Sequence, residues 1–129
     1  MALRIAVDTN RCTDFMMGEQ SVRETFRRAD QIHLPFVVLA ELRAGFRSGR
    51  RRDHNERILH RFLQTPRVSV VFADGATTQI YADIFVGLRK AGTPIPTNDI
   101  WIAAIVLQHD LTLFTRDRHF EHVSRIQRI

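Results

Sequence analysis

Lysine and cysteine are almost absent from this chain. Lys90 is the only lysine among 19 basic residues, and Cys12 is the only cysteine. A lone thiol excludes an intrachain disulfide. With no cysteine pair and no HExxH pattern, the six scattered histidines offer no framework for a zinc site. Long apolar runs are missing too. None approaches the roughly 20 residues that cross a bilayer, and Arg4 and Asp8 interrupt the N-terminal region before it resembles a secretion signal. These absences predict a cytoplasmic protein that does not enter a membrane. No internal repeat, low-complexity tract or linker divides the sequence, so residues 1–129 are expected to form a single domain.

What the chain holds instead is arginine and hydrophobic residues. The formal net charge is +5, the sequence pI is about 10.9, and 44% of residues are hydrophobic. The planar, permanently charged arginine fork suits phosphate, and a basic surface favours nucleic acid. A general bias towards arginine explains the same composition equally well. Charge can support a site here but cannot define one.

Hydrophobic spacing supplies the layout. "LRIAVD" alternates Leu3, Ile5 and Val7 and predicts a strand over residues 3–8. Further strands are predicted in "QIHLP", "RVSVVFA", "LTLFT" and the terminal "SRIQRI". Helical spacing covers residues 19–29, 36–48, 50–65, 74–91 and 98–109, with Gly49 and Gly92 as stops, and "DRHFEHV" reads as a helical turn. Strands alternating with helices predict an α/β fold around a mainly parallel sheet.

Four acids stand where burial should exclude them. Asp8 closes the first predicted strand, and Asp117 follows "LTLFT" by two residues. Both are expected at the carboxyl edge of the sheet, where ligands of open α/β sheets bind; each taken alone is also an ordinary turn or N-cap acid. Glu41 has Val37, Val38, Ala44 and Gly45 as its helical neighbours. It is therefore expected to be desolvated and in need of compensation, unless it pairs with an arginine or sits at the margin of the stripe. Asp99 heads the apolar run "IWIAAIVL", where it is either a cap or something that faces the sheet edge. Together the four would repel one another, and a hard divalent cation removes that conflict.

The blocks "VDTN", "LAELRAG", "PTNDIWIAA" and "TRDRHF", in that order, resemble the PIN-domain ribonucleases, most of all the toxins of VapBC-type toxin–antitoxin pairs. The likeness spans essentially the whole chain. It implies a three-layer α/β/α fold and hydrolysis of RNA by a Mg²⁺- or Mn²⁺-dependent endoribonuclease. It carries the catalytic and metal-binding roles onto Asp8, Glu41, Asp99 and Asp117, and a supporting role onto Asn10 and Thr115, which in such proteins steady the acids or bound water. It also implies a small antitoxin partner that occludes the site, and a homodimer. "DTNRCTDF" departs from the pattern, since Arg11 and Cys12 stand where many members are apolar, which bears on the packing of the first helix.

Two groups of arginines are candidates for holding RNA. Arg47, Arg50, Arg51 and Arg52 form a dense basic turn, which an ordinary solvated helix face would also explain. Arg116 and Arg118 flank Asp117 and are placed either to meet a phosphate or to pair with nearby acids. Each histidine is assigned to the surface or to packing, Trp101 to the core or a dimer contact, and Cys12 to the core. The rival class is a non-catalytic RNA- or partner-binding domain of the same fold. A phosphoryl-accepting receiver domain is excluded, because it needs a lysine after a late strand and Lys90 falls within a predicted helix.

Overall fold

The computed structural model describes residues 2–129. The chain runs β1 (Arg4–Val7), α1 (Thr9–Met16), α2 (Gln20–Arg28), β2 (Gln31–Pro35), α3 (Phe36–Ser48) and α4 (Arg52–Leu63). It continues through β3 (Val68–Val71), α5 (Gly75–Ala91), α6 (Thr97–Gln108), β4 (Thr112–Phe114), a 3₁₀ turn at Arg118–His122 and β5 (Gln127–Arg128). The five strands are all parallel in the order β3-β2-β1-β4-β5, the sheet of a three-layer α/β/α domain.

That order fixes where a site can form. The chain builds outward from β1 through β2 to β3, then returns to place β4 on the other side of β1. The direction of winding therefore switches between β1 and β4, and the crevice beyond their carboxyl ends is the natural binding position. Asp8 directly follows β1, and Thr115 directly follows β4, whose Phe114 pairs with Val7.

The core explains why these segments are helical. Val22 and Phe26 of α2, Leu59 of α4, and Ile84 and Leu88 of α5 are buried at helical spacing. In α6, Ile100 and every residue from Ile102 to Val106 are buried, so this helix is enclosed on nearly all sides. Gly92 ends α5 at φ 74°, a left-handed conformation that favours glycine. α6 leads through a short turn into β4 and runs back against the strand direction. Its first turn therefore faces the carboxyl edge.

One element departs from the layout read in the sequence. Residues 9–16 fold as α1, a helix that the family resemblance implies but that hydrophobic spacing does not predict. Thr, Asn and Asp are weak helix formers, but the segment is capped by Asp8 and anchored by buried Cys12, with Phe15 stacked on Phe26 at 4.3 Å. Tertiary contact outweighs local preference. The strand expected over 3–8 also stops at Val7, because Asp8 belongs to the helix as its N-cap.

Candidate active site

Asp8 is 5% exposed, one of few buried polar residues, and its hydrogen bonds show how that burial is tolerated. Its Oδ1 accepts from the Thr9 amide at 2.8 Å. Its Oδ2 accepts from Thr115 Oγ1 at 2.7 Å and from Asn10 Nδ2 at 3.3 Å. The Thr115 hydroxyl in turn accepts from the Asp117 amide at 3.0 Å, tying the loop after β4 to the acid after β1. Asn10 adds a second tie, its Oδ1 accepting from the Arg116 amide at 3.4 Å.

Asp117 caps the 3₁₀ turn, accepting from the His119 amide at 2.9 Å. Asp99 does not cap α6: the helix begins after Pro96 without a side-chain cap. The Asp99 carboxylate turns outward, with Oδ2 2.8 Å from His119 Nδ1. The same ring nitrogen lies 3.2 Å from Asp117 Oδ1. An ionised carboxylate only accepts, so Nδ1 carries the proton between these two oxygens. Asp99, Asp117 and His119 each place one potential ligand atom within 4.8 Å of the others.

The electrostatics match this crowding. Burial pushes the Asp8 carboxyl above the usual range, Thr115 and the Thr9 amide oppose that, and the charge of Asp117 adds to it. Asp99 is raised in the same way, first by burial, against its bond to His119 and with the charges of Asp117 and Asp8. His119 is raised chiefly by its bond to Asp99. Asp8, Asp99 and Asp117 thus lie within reach of one another's charge, and among the described residues none of the three is hydrogen-bonded or paired to a guanidinium.

Glu41 is the correction. Expected to be desolvated among apolar neighbours, it is exposed, because Ala44 and Gly45 are exposed too and only Val37 and Val38 face the core. It lies outside the close cluster, at the rim, where its Oε1 accepts from Thr9 Oγ1 at 2.9 Å. It lines an open groove with Thr9, Leu42, Phe46, Arg51 and Asn55. Arg47, Arg50, Arg51 and Arg52 are all exposed, with Arg51 on that groove wall. Arg118 is exposed, while Arg116 pairs with Asp14.

His119 and Asp14 are the participants that sequence reasoning did not assign. His119 sits two residues beyond Asp117, and that spacing was the available signal; its bond to Asp99 depends on how α6 meets the loop. Trp101 packs against Tyr81 at 4.3 Å and Phe36 at 6.1 Å, beside the start of α6. Cys12 is buried, and burial pushes its thiol pKa upward.

The Thr115 hydroxyl yields a direct test. Thr115→Val keeps the shape but leaves Asp8 Oδ2 with only its longer bond from Asn10 and strands the Asp117 amide. It is expected to destabilise the fold by about 1–3 kcal/mol, the cost of leaving buried groups unsatisfied, as read by chemical denaturation. Thr115→Ser is expected to recover most of the loss.

The domain is thus of the parallel α/β class with acidic side chains gathered at its switch point. The family pattern for the PIN domain matches residues 5–126, and the chain belongs to the PIN domain family. The plasmid stability protein StbB of Pseudomonas syringae pv. tomato is 34% identical over 92 residues, spanning 68% of this chain and 66% of that protein, about two thirds of its length. Ribonuclease VapC1 of Haemophilus influenzae (strain R2866) is 28% identical over 99 residues, 76% of this chain and 72% of its own. The fold is also that of VapBC2 from Rickettsia felis, solved bound to a DNA fragment from its promoter. There the TM-score is 0.89 at 22% identity, covering 98% of each chain.

Proposed function

We propose that this protein is a metal-dependent endoribonuclease that hydrolyses RNA phosphodiester bonds, and that it is the toxin of a toxin–antitoxin pair. The observation that carries this is that Asp99 and Asp117 lie within ligand distance of each other, with Asp8 tied to Asp117 through Thr115 and within reach of both charges, in a PIN-family chain where, among the described residues, no guanidinium pairs with any of the three. Relatives that bear the name ribonuclease VapC support the RNA substrate, and the VapBC complexes of the same fold support a small antitoxin as partner.

The donor set fits a hard divalent cation. Carboxylate oxygens from separate elements, beside one imidazole, suit Mg²⁺ or Mn²⁺. Asp8, Asp99 and Asp117 would hold it. Such an ion supplies Lewis acidity for the attack of water on phosphorus and charge for the departing 3′ oxygen. The protein's part is positional. Thr115 and Asn10 fix the Asp8 carboxylate, and His119 fixes that of Asp99. Glu41, exposed at the rim beside Thr9, is placed to take a proton from entering water or to hold outlying water. Arg51 on the groove wall, with exposed Arg47, Arg50 and Arg52 close to it in sequence, would offer phosphate contacts, and Arg116 and Arg118 would offer them beside the acids. Exposed Phe85 and Val86 on α5 support a homodimer, and an RNA substrate with an antitoxin supports a cytoplasmic location.

Purified protein incubated with total RNA is expected to cleave it in millimolar Mg²⁺ or Mn²⁺ and to stop on addition of EDTA. Glu41→Gln is expected to retain more activity than Asp8→Asn, as befits a rim position. RNA that is bound but uncut under every metal condition would overturn the nuclease assignment in favour of the non-catalytic binding domain.

A further inference from the structure

Arg116 lies between Thr115 and Asp117, so its guanidinium is tethered beside the acid cluster. Asp8 and Arg116 feel each other's charge. A cation on so short a tether has a high effective concentration at the carboxylates, and three acids with only the His119 ring beside Asp99 and Asp117, and no guanidinium among the described residues, are where it should fold. It does not. Its Nε donates to Asp14 Oδ2 at 3.0 Å and its Nη2 to Asp14 Oδ1 at 3.3 Å, a two-pronged grip from α1. Asp14 also accepts from Arg11 Nη1 at 3.3 Å. Arg11 is held independently, its guanidinium over the Phe114 ring at 4.9 Å. The Asp14 side chain is 16% exposed and that of Arg116 57%, a half-open pair that contributes little to stability by itself.

We propose that Asp14 is a positioning residue that draws Arg116 off the acid cluster, keeping Asp8, Asp99 and Asp117 open to the divalent cation and holding the guanidinium at the rim for the substrate phosphate. The inference rests on the metal-dependent reading above. Asp14 is then the competitor that decides which carboxylate Arg116 neutralises. Without it, Arg116 pairs with the cluster and competes with the metal. A guanidinium occupying the site nine-tenths of the time weakens apparent metal affinity by about tenfold.

Mn²⁺ titration followed by thermal melting, with no RNA present, tests this in four proteins. Wild type sets the reference midpoint. Asp14→Asn is expected to need about tenfold more Mn²⁺, and Asp14→Asn/Arg116→Gln to return close to the reference. Arg116→Gln alone is expected to bind Mn²⁺ as well as wild type, or more tightly. Two results would overturn the proposal: an unchanged midpoint in Asp14→Asn, or a weakened one that Arg116→Gln fails to restore, which would mark Asp14 as a merely structural partner. If Asp14→Asn fails to fold, the comparison passes to Asp14→Ala in the Arg116→Gln background, where Mn²⁺ binding below that of Arg116→Gln alone counts against it. No shift in wild type would instead overturn the metal reading, and the inference with it.

Discussion

Asp8→Asn is expected to abolish RNA cleavage while leaving the metal-free protein more resistant to heat. Loss of a hydrogen-bond partner behind a metal ligand commonly costs 10–100-fold in affinity or activity, so loss of the carboxylate itself should exceed about a hundredfold. The opposite sign for stability follows from burial. Burial raises the Asp8 carboxyl above the usual carboxylate range, so the folded state binds that proton more tightly than the unfolded chain does. Stability assigned to this group therefore falls as pH rises from the unfolded pKa through the folded one. At neutral pH the ionised, metal-free side chain is a net burden. Asparagine removes the charge and still offers an oxygen to the Thr9 amide or Thr115. RNA cleavage assays and metal-free melting curves check the two halves separately. Retained cleavage would sink the catalytic assignment, and a lower melting temperature would mean that Asp8 matters mainly as the cap of α1.

A cap and a place in the acid cluster coincide at Asp8, which is why the ordinary explanation of such acids is hard to dismiss from sequence. Asp8 and Asp117 are indeed caps, accepting from Thr9 and His119 amides. Capping uses one oxygen and leaves the carboxylate free to face its neighbours. Asp99 is the opposite case. It was the acid with the best local claim to be a cap, yet α6 starts at Thr97 without one, and Asp99 turns to His119.

Legibility followed the range of the interactions. The sheet, the enclosed α6 and the position of Asp8 at a strand end were readable because alternation, helical spacing and apolar content are local properties. Local spacing gives no sign of α1 because its stability comes from Cys12 and Phe15 packing on distant elements. Glu41 was misplaced because four small or apolar neighbours look like a buried stripe until the structure shows that half of them face solvent. The pairing of Asp14 with Arg116 spans 102 residues of sequence, and no spacing rule reaches that far.

Millimolar Mg²⁺ or Mn²⁺ is expected to raise the melting temperature of the wild-type protein, and the rise should vanish in Asp8→Asn and Asp99→Asn. Ligand at a hundred times its Kd stabilises the folded state by about 2.7 kcal/mol, which for a domain of this size is about 10 °C. The size of the shift should also depend on pH in a defined direction. Asp8 and Asp99 both have carboxyls held above the ordinary range by burial. Protons therefore compete with the cation at higher pH than they would at exposed acids, and the shift should shrink as pH falls towards that raised range. His119 complicates only the Asp99 variant. Its raised pKa depends first on Asp99, so Asp99→Asn forfeits an attraction to the protonated ring as well as a repulsion among acids, and its metal-free gain in melting temperature should be largest at high pH, where the ring is neutral. A cation response that survives loss of both acids would place the ion elsewhere and leave Asp8 and Asp99 without the charge that their burial calls for.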